Sequence, residues 1–226
     1  MVDGACFPRI KICGLTGPDE AEACVSLGAA AVGCVFFEGS PRHVTPARAR
    51  DVCAAVSGRA AAVGVFVNAP AEKVLETASF CGLAAVQLHG RESPEMVRRL
   101  RREGLTVIKA LFAAKPPFFS AGSEYDPSAF LVECGRGTLP GGNAEAWDWG
   151  AARPLGRRRP LVLAGGLSPN NVRSALAAAE PDAVDVSSGV EAAPGTKDLN
   201  KVAAFIAAVR RYQTATADRP PLRRIF

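Results

Sequence analysis

"LVLAGGLSPNNVRSALAAAEPDAVDVSSGV" runs from Leu161 to Val190 and decides the fold. Two short apolar runs, Leu161 to Ala164 and Ala183 to Val186, flank a stretch from Pro169 to Ala179 whose apolar residues recur at helical spacing. Ser168-Pro169 has the form of a cap followed by proline at the first helical position. The unit therefore reads strand, helix, strand. Apart from Asp185, both strands are apolar on either face, as in a parallel sheet covered on both sides. Each closes on a turn of small residues, Gly165-Gly166 after the first and Ser187-Ser188-Gly189 after the second.

Working outward, the same unit repeats along the chain. Further β-branched or apolar runs lie at Arg9 to Ile12, Ala31 to Phe36, Ala61 to Val67, Ala85 to Leu88, Thr106 to Ala110 and Ala129 to Val132. Helical patterns follow at Pro18 to Leu27, Thr45 to Val56, Pro70 to Phe80, Pro94 to Glu103 and Asp198 to Arg211, with Thr45-Pro46 and Ser93-Pro94 as further cap signals. "AAKPPFFSAGSEYDP", after the fifth run, is rich in helix breakers and reads mostly as loop. Eight strand-helix repeats suit an open doubly wound sheet or a closed barrel. The count of eight, with no GxGxxG turn after the first strand, favours an α/β fold of the (β/α)8 TIM barrel type in a single domain. The barrel is expected over residues 9–211, with an N-terminal extension at 1–8 and a tail at 212–226 that is disordered or loosely docked, its Ile225-Phe226 available to a neighbouring molecule.

Composition narrows the partners. The chain has 226 residues, 48% hydrophobic and 22% charged, which suits a globular fold. Its net charge of +5 comes from short, scattered arginine clusters. Nucleic-acid binding would want one contiguous basic stripe interleaved with aromatics, so no nucleic-acid partner is expected, while an anionic small substrate is favoured. The seven cysteines show neither metal-site spacing nor disulfide density and fit a reducing cytoplasm. With no run of 18 uncharged apolar residues and no secretory leader pattern, neither membrane insertion nor export is expected.

In a barrel of this type the C-terminal ends of the strands build the site. Read in order, those ends carry Cys13, then Arg42 in the loop after the second strand, Asn68, Gln87 with His89, Lys109, Glu133, the Gly165-Gly166 turn, and Asp185 with Ser187, Ser188 and Gly189. The two glycine-bearing turns let backbone approach a ligand closely and offer N–H groups to an anion, with the N-terminus of a short extra helix expected at "GVEAAPG". Loops after strands seven and eight are the usual phosphate cradle, so a phosphorylated small molecule is the expected ligand. Cys13 is preceded on the same strand face by Lys11, whose charge would favour a thiolate.

"KICGLT", "SPRHV", "VGVFVN", "VQLHG", "GG" with "WDW", "LAGGLSPNNV" and "VDVSSGVEAAPGTKD" occur in the order and nearly the spacing of the phosphoribosylanthranilate isomerase family of tryptophan biosynthesis, which the chain resembles over roughly residues 9–210. The resemblance implies an Amadori rearrangement of N-(5-phosphoribosyl)anthranilate by general acid/base catalysis, with no metal or organic cofactor. It implies Cys13 as the base and Arg42 as the partner of the anthranilate carboxylate, with Gln87, His89 and Asp185 lining the substrate. The family's acid is an aspartate at the end of strand six, and "FLVEC" places Glu133 there. After Gly141-Gly142 the chain also carries Asn143-Ala144 where the family has a small hydroxyl residue and a glycine. These departures leave two alternatives beside the family reaction: a diverged paralogue acting on a related N-ribosyl arylamine phosphate in a specialised pathway, or a noncatalytic phosphosugar-binding barrel.

Overall fold

A computed structural model describes residues 8–136, 146–212, 222, 223, 225 and 226. Eight parallel strands close into a barrel: β1 (Arg9–Cys13), β2 (Ala31–Val35), β3 (Ala61–Phe66), β4 (Ala85–Leu88), β5 (Val107–Phe112), β6 (Ala129–Glu133), β7 (Leu161–Leu163) and β8 (Ala183–Val186), with β8 pairing back onto β1. Around them lie α1 (Pro18–Leu27), α2 (Pro46–Val56), α3 (Ala71–Cys81), α4 (Pro94–Arg102), the short α5 (Arg153–Gly156), α6 (Val172–Ala179) and α7 (Leu199–Arg210). Thr45 and Ser93 cap α2 and α4 by accepting from the N–H groups of Arg48 and Met96.

Alternation along the strands sorts two cores. Ile10, Ile12, Val32, Cys34, Val132 and Val184 face the helices. Ile108, Ala110, Phe112, Leu131 and Val162 fill the barrel itself. Alanines 31, 85, 129 and 183, each at a strand start, leave room on the barrel floor, and Ile225 packs into the same cluster. Arg223 anchors this docked segment through Asp182 at 2.7 Å. Ile225 thus packs against its own chain.

Three expectations are corrected in detail. β5 continues past Lys109 to Phe112, because the Lys109 ammonium points out of the barrel and is neutralised by Glu92 at 2.8 Å while donating to the carbonyls of Leu88 and Gly90. α6 begins at Val172 and not at Pro169. Asn171 delays it by accepting from Ser168 N–H and donating to Gly166 O, which holds residues 166–171 in a turn. The expected extra helix at "GVEAAPG" is one 3-10 turn, Ser188–Val190, followed by a hairpin of β9 (Glu191–Ala193) and β10 (Thr196–Lys197) about Pro194-Gly195. The segment after β5 is mostly loop, as its helix breakers imply, with one 3-10 turn at Phe119–Glu124.

Candidate active site

At the C-terminal end of the barrel lies an open cavity. Cys13, Arg42, Gln87, His89, Glu133, Gly165, Gly166, Asp185, Ser187, Ser188 and Gly189 all line it. Lys109 and Asn68 do not. Lys109 braces the loop after β4 from outside the barrel, and Asn68 ties the loop after β3 to that loop through Arg91 N–H and Glu92. The segment Gly141-Gly142-Asn143-Ala144 lies outside the described residues.

Cys13 ends β1 and faces inward with Lys11 two residues below it. Lys11 Nζ is 2.9 Å from Asp185 Oδ1, across a register in which the two residues pair directly. Burial pulls the Lys11 ammonium down, but Asp185 and the Cys13 sulfur outweigh it, and the net shift is upward. For Cys13, burial pushes the thiol up and Asp185 adds to this, while Lys11 and Lys197 offset only part. Cys13 is thus held as a thiol. Gly33 on β2 makes room for it, since a Cβ there would come within 2.7 Å of the sulfur.

Arg42 is committed on one edge. Its Nε and Nη2 donate to the two oxygens of Glu191, each at 2.7 Å, leaving the Nη1 end of the fork for a ligand. Burial pushes the Glu191 carboxyl up, but hydrogen bonds from Arg42 and Lys197 hold it below its ordinary range. Lys197 Nζ sits 2.7 Å from Glu191 and 3.4 Å from both Ser187 O and Oγ, tying the Arg42 anchor to the turn after β8. Glu191 and Lys197 were not singled out as site residues from the sequence. The signal for them was present in "VDVSSGVEAAPGTKD", where a carboxylate and an ammonium flank a Pro-Gly turn.

Glu133 ends β6 facing the loop after β4. His89 Nε2 lies 3.3 Å from Glu133 Oε1, an ion-pair distance without the alignment of a hydrogen bond. Gln87 Nε2 lies 2.9 Å from His89 Nδ1, and the edge of Phe112 holds the imidazole at 86°. Burial would raise the Glu133 carboxyl, yet His89 and then Lys115 pull it down, and the net shift is downward.

The remaining wall is made by the turns after β7 and β8. Gly165 and Gly166 have φ of 82° and 68°, which glycine alone adopts at little cost. Gly189 presses against the β7 turn so closely that a Cβ would lie 1.9 Å from Leu167 O. Trp147 and Trp149 brace this turn, donating indole N–H groups to Ala164 O at 3.1 Å and Gly165 O at 3.2 Å. Opposite, Val35, Val65 and Phe37 form an apolar wall around Cys13 that no strand-end reading identified. The cavity thus brings together two glycine-bearing turns, a guanidinium, a thiol and a carboxyl.

Comparison with known proteins gives this cavity a context. The family profile described as "N-(5'phosphoribosyl)anthranilate (PRA) isomerase" matches residues 10–208. The N-(5'-phosphoribosyl)anthranilate isomerase of Desulfatibacillum aliphaticivorans is 54% identical over 198 residues, covering 88% of this chain and 91% of that protein. That of Rubrobacter xylanophilus is 44% identical, covering 89% and 98%. The crystal structure of phosphoribosyl anthranilate isomerase from Thermotoga maritima superposes with a TM-score of 0.82 at 40% identity over 90% of this chain and 99% of that one. A phosphoribosyl anthranilate isomerase crystallised with reduced 1-(o-carboxyphenylamino)-1-deoxyribulose 5-phosphate gives a TM-score of 0.78 at 40% identity, with the same coverage. From Ile10 to Ala208, the chain belongs to the N-(5'-phosphoribosyl)anthranilate isomerase family.

Proposed function

We propose that this chain converts N-(5-phosphoribosyl)anthranilate into 1-(2-carboxyphenylamino)-1-deoxyribulose 5-phosphate, the isomerisation of tryptophan biosynthesis for which its relatives are named. The observation that carries the reading is that Cys13, Glu133, Arg42 and the turns after β7 and β8 all line one cavity. The phosphate sits between the Gly165-Gly166 turn and Ser187-Ser188-Gly189, where backbone approach is unobstructed. The arylamine ring lies along Val35, Val65 and Phe37, with its carboxylate on the free end of the Arg42 fork. Asp185 keeps Lys11 charged beneath the thiol.

Glu133 gives a proton to the ribose ring oxygen as the C1–O bond breaks with its electron pair on oxygen. The aryl nitrogen lone pair then forms the C1=N double bond of a cationic Schiff base. Cys13 removes the C2 proton, and the C2–H electrons become the C1=C2 bond of an enolamine, which tautomerises to the ketone. The Cys13 thiol, raised by burial, first loses its proton to solvent as the iminium forms beside it, and the thiolate that this positive charge stabilises is the base that takes the C2 proton.

The ligand is a phosphorylated small molecule, and no nucleic-acid partner is proposed. No described helix is long and apolar enough to cross a membrane. A cytoplasmic setting is proposed on the six described cysteines, all buried thiols.

Expression in a tryptophan auxotroph lacking this isomerase should restore growth. Purified protein should consume the substrate, Glu133→Gln should lower kcat by about 100-fold or more with product-analogue affinity retained, and Glu133→Asp should remain active. The aspartate arm, shorter by a methylene, moves the carboxyl away from the imidazole that holds it down. Failure of growth with turnover of another N-ribosyl arylamine phosphate would favour the diverged paralogue, which the glutamate at 133 keeps in view. Binding of ribose phosphates without any turnover would favour a noncatalytic barrel.

A further inference from the structure

Two buried polar atoms at the barrel mouth lack a hydrogen-bond partner, Gln87 Oε1 and His89 Nε2. Their residues are 1% and 5% exposed, so water does not satisfy them from outside the cavity. Both belong to one row of contacts through the His89 imidazole: Gln87 Nε2 reaches its Nδ1 at 2.9 Å, and Glu133 Oε1 stands 3.3 Å from its Nε2. Rotating the Gln87 amide end over end places Oε1 against Nδ1, where it accepts from an N–H. The imidazole then presents Nε2 to Glu133 as an acceptor when neutral or a donor when protonated.

Deepening the role proposed above for Glu133, we propose that the Glu133 carboxyl and the His89 imidazole hold one proton between them, and that this pair is the proton source for ring opening. His89 and Gln87 act through Glu133 as positioning residues. Burial alone would favour the protonated carboxyl, but His89 and Lys115 hold it down, and a carboxylate whose proton is not kept on its partner cannot protonate an ether oxygen. As a pair, O–H···N and O⁻···H–N⁺ differ only in which side of the contact carries the proton. Water leaving the cavity as substrate enters disfavours the charge-separated form, which moves the proton onto Glu133 at the moment it is needed. The proton passes to the ring oxygen, leaving a carboxylate and a neutral imidazole, and the pair takes up another from water after product leaves. The charged and titratable groups around the pair are Lys115 and, on the loop after β6, Cys134 and Arg136. Across the cavity stand Cys13, the Lys11–Asp185 pair and the Arg42–Glu191 pair.

The test begins with nuclear magnetic resonance of protein labelled with ¹⁵N in histidine and ¹³C at the glutamate carboxyl. The chain has two histidines, so the His89 signals are those lost in His89→Gln. The His89 ring nitrogens and the Glu133 carboxyl carbon should change together in one step with pH, and the His89 step should move in Glu133→Gln. Independent titration of the two groups would overturn the pair, with or without any activity measurement. In turnover, His89→Gln keeps hydrogen-bonding capacity but cannot hold the proton, and should lower kcat by about 100-fold with KM within about twofold. Gln87→Leu should lower kcat by about tenfold. A raised KM with unchanged kcat in a folded His89→Gln would make His89 a ground-state substrate contact and refute the proposal. Absence of isomerisation by wild-type protein would remove the proposed reaction, and the resonance measurement would still decide the pair.

Discussion

At the scale of single residues, the site is built from groups whose ordinary chemistry has been displaced by their neighbours. Cys13 shows this most directly: burial leaves it a thiol, although an ammonium stands two residues away on the same strand face. Lys11 cannot lower it further because Asp185 takes up that charge. The thiolate is the nucleophile in alkylation, so a raised thiol should react slowly near neutrality. Alkylation of Cys13 by iodoacetamide, followed residue by residue by mass spectrometry, should still be accelerating above about pH 8.5, where an unperturbed thiol is half ionised. Rapid labelling at pH 7 would show that Lys11 and not burial governs this sulfur. The same reasoning separates what the sequence reveals here from what it hides. Cys13, Arg42 and Glu133 are legible because each ends or follows a strand at the rim. The Glu191 fork on Arg42 joins residues 149 positions apart, and no spacing rule brings them together.

At the scale of elements, strands were easier to read than their endings. Apolar runs buried on both faces mark β1 to β8 without ambiguity of type. A charge, however, need not end a strand: Lys109 sits inside β5 because Glu92 and two carbonyls meet it from the neighbouring loop, a partnership invisible until the fold forms. Asn171 likewise moves the start of α6 by competing for backbone groups that Ser168-Pro169 would otherwise organise. The same turn packs against the one after β8, and their closeness rests on Gly189. A methyl group there would meet Leu167 O at 1.9 Å, and backbone on both sides leaves little to give. Gly189→Ala should push the two turns apart and raise KM for the phosphorylated substrate about tenfold or more, with a smaller effect on binding of an analogue lacking phosphate. Equal losses for both ligands would mean that these turns support the barrel mouth generally and do not form the anion cradle.

At the scale of the whole molecule, the barrel separates stability from chemistry along its axis. Groups that react stand at the C-terminal ends of the strands, while the opposite end is closed by alanines and by a segment beyond the last helix. Residues 10–208 match the family, so Ile225 and Arg223 lie outside the shared region, yet Ile225 is only 6% exposed. The small side chains at the strand starts leave a space that an isoleucine fills. Asp182 holds it there indirectly, accepting from Arg223 and from the N–H of Leu161 at the foot of β7. Truncating Ile225 to alanine removes buried methylenes at a site whose supporting segment can partly relax. The low end of the usual range, about 2 kcal/mol, is therefore expected. For a chain of this length that corresponds to a fall in Tm of about 4–8 °C. Because the floor is the full height of the barrel from Cys13 and Glu133, kcat and KM at a temperature well below the transition should stay within about twofold of wild type. A lower Tm with unchanged kinetics supports the axial separation. A loss of activity at such a temperature would mean that the floor transmits its packing through Lys11 and Asp185 to the mouth, and that the two ends of this barrel are one mechanical unit.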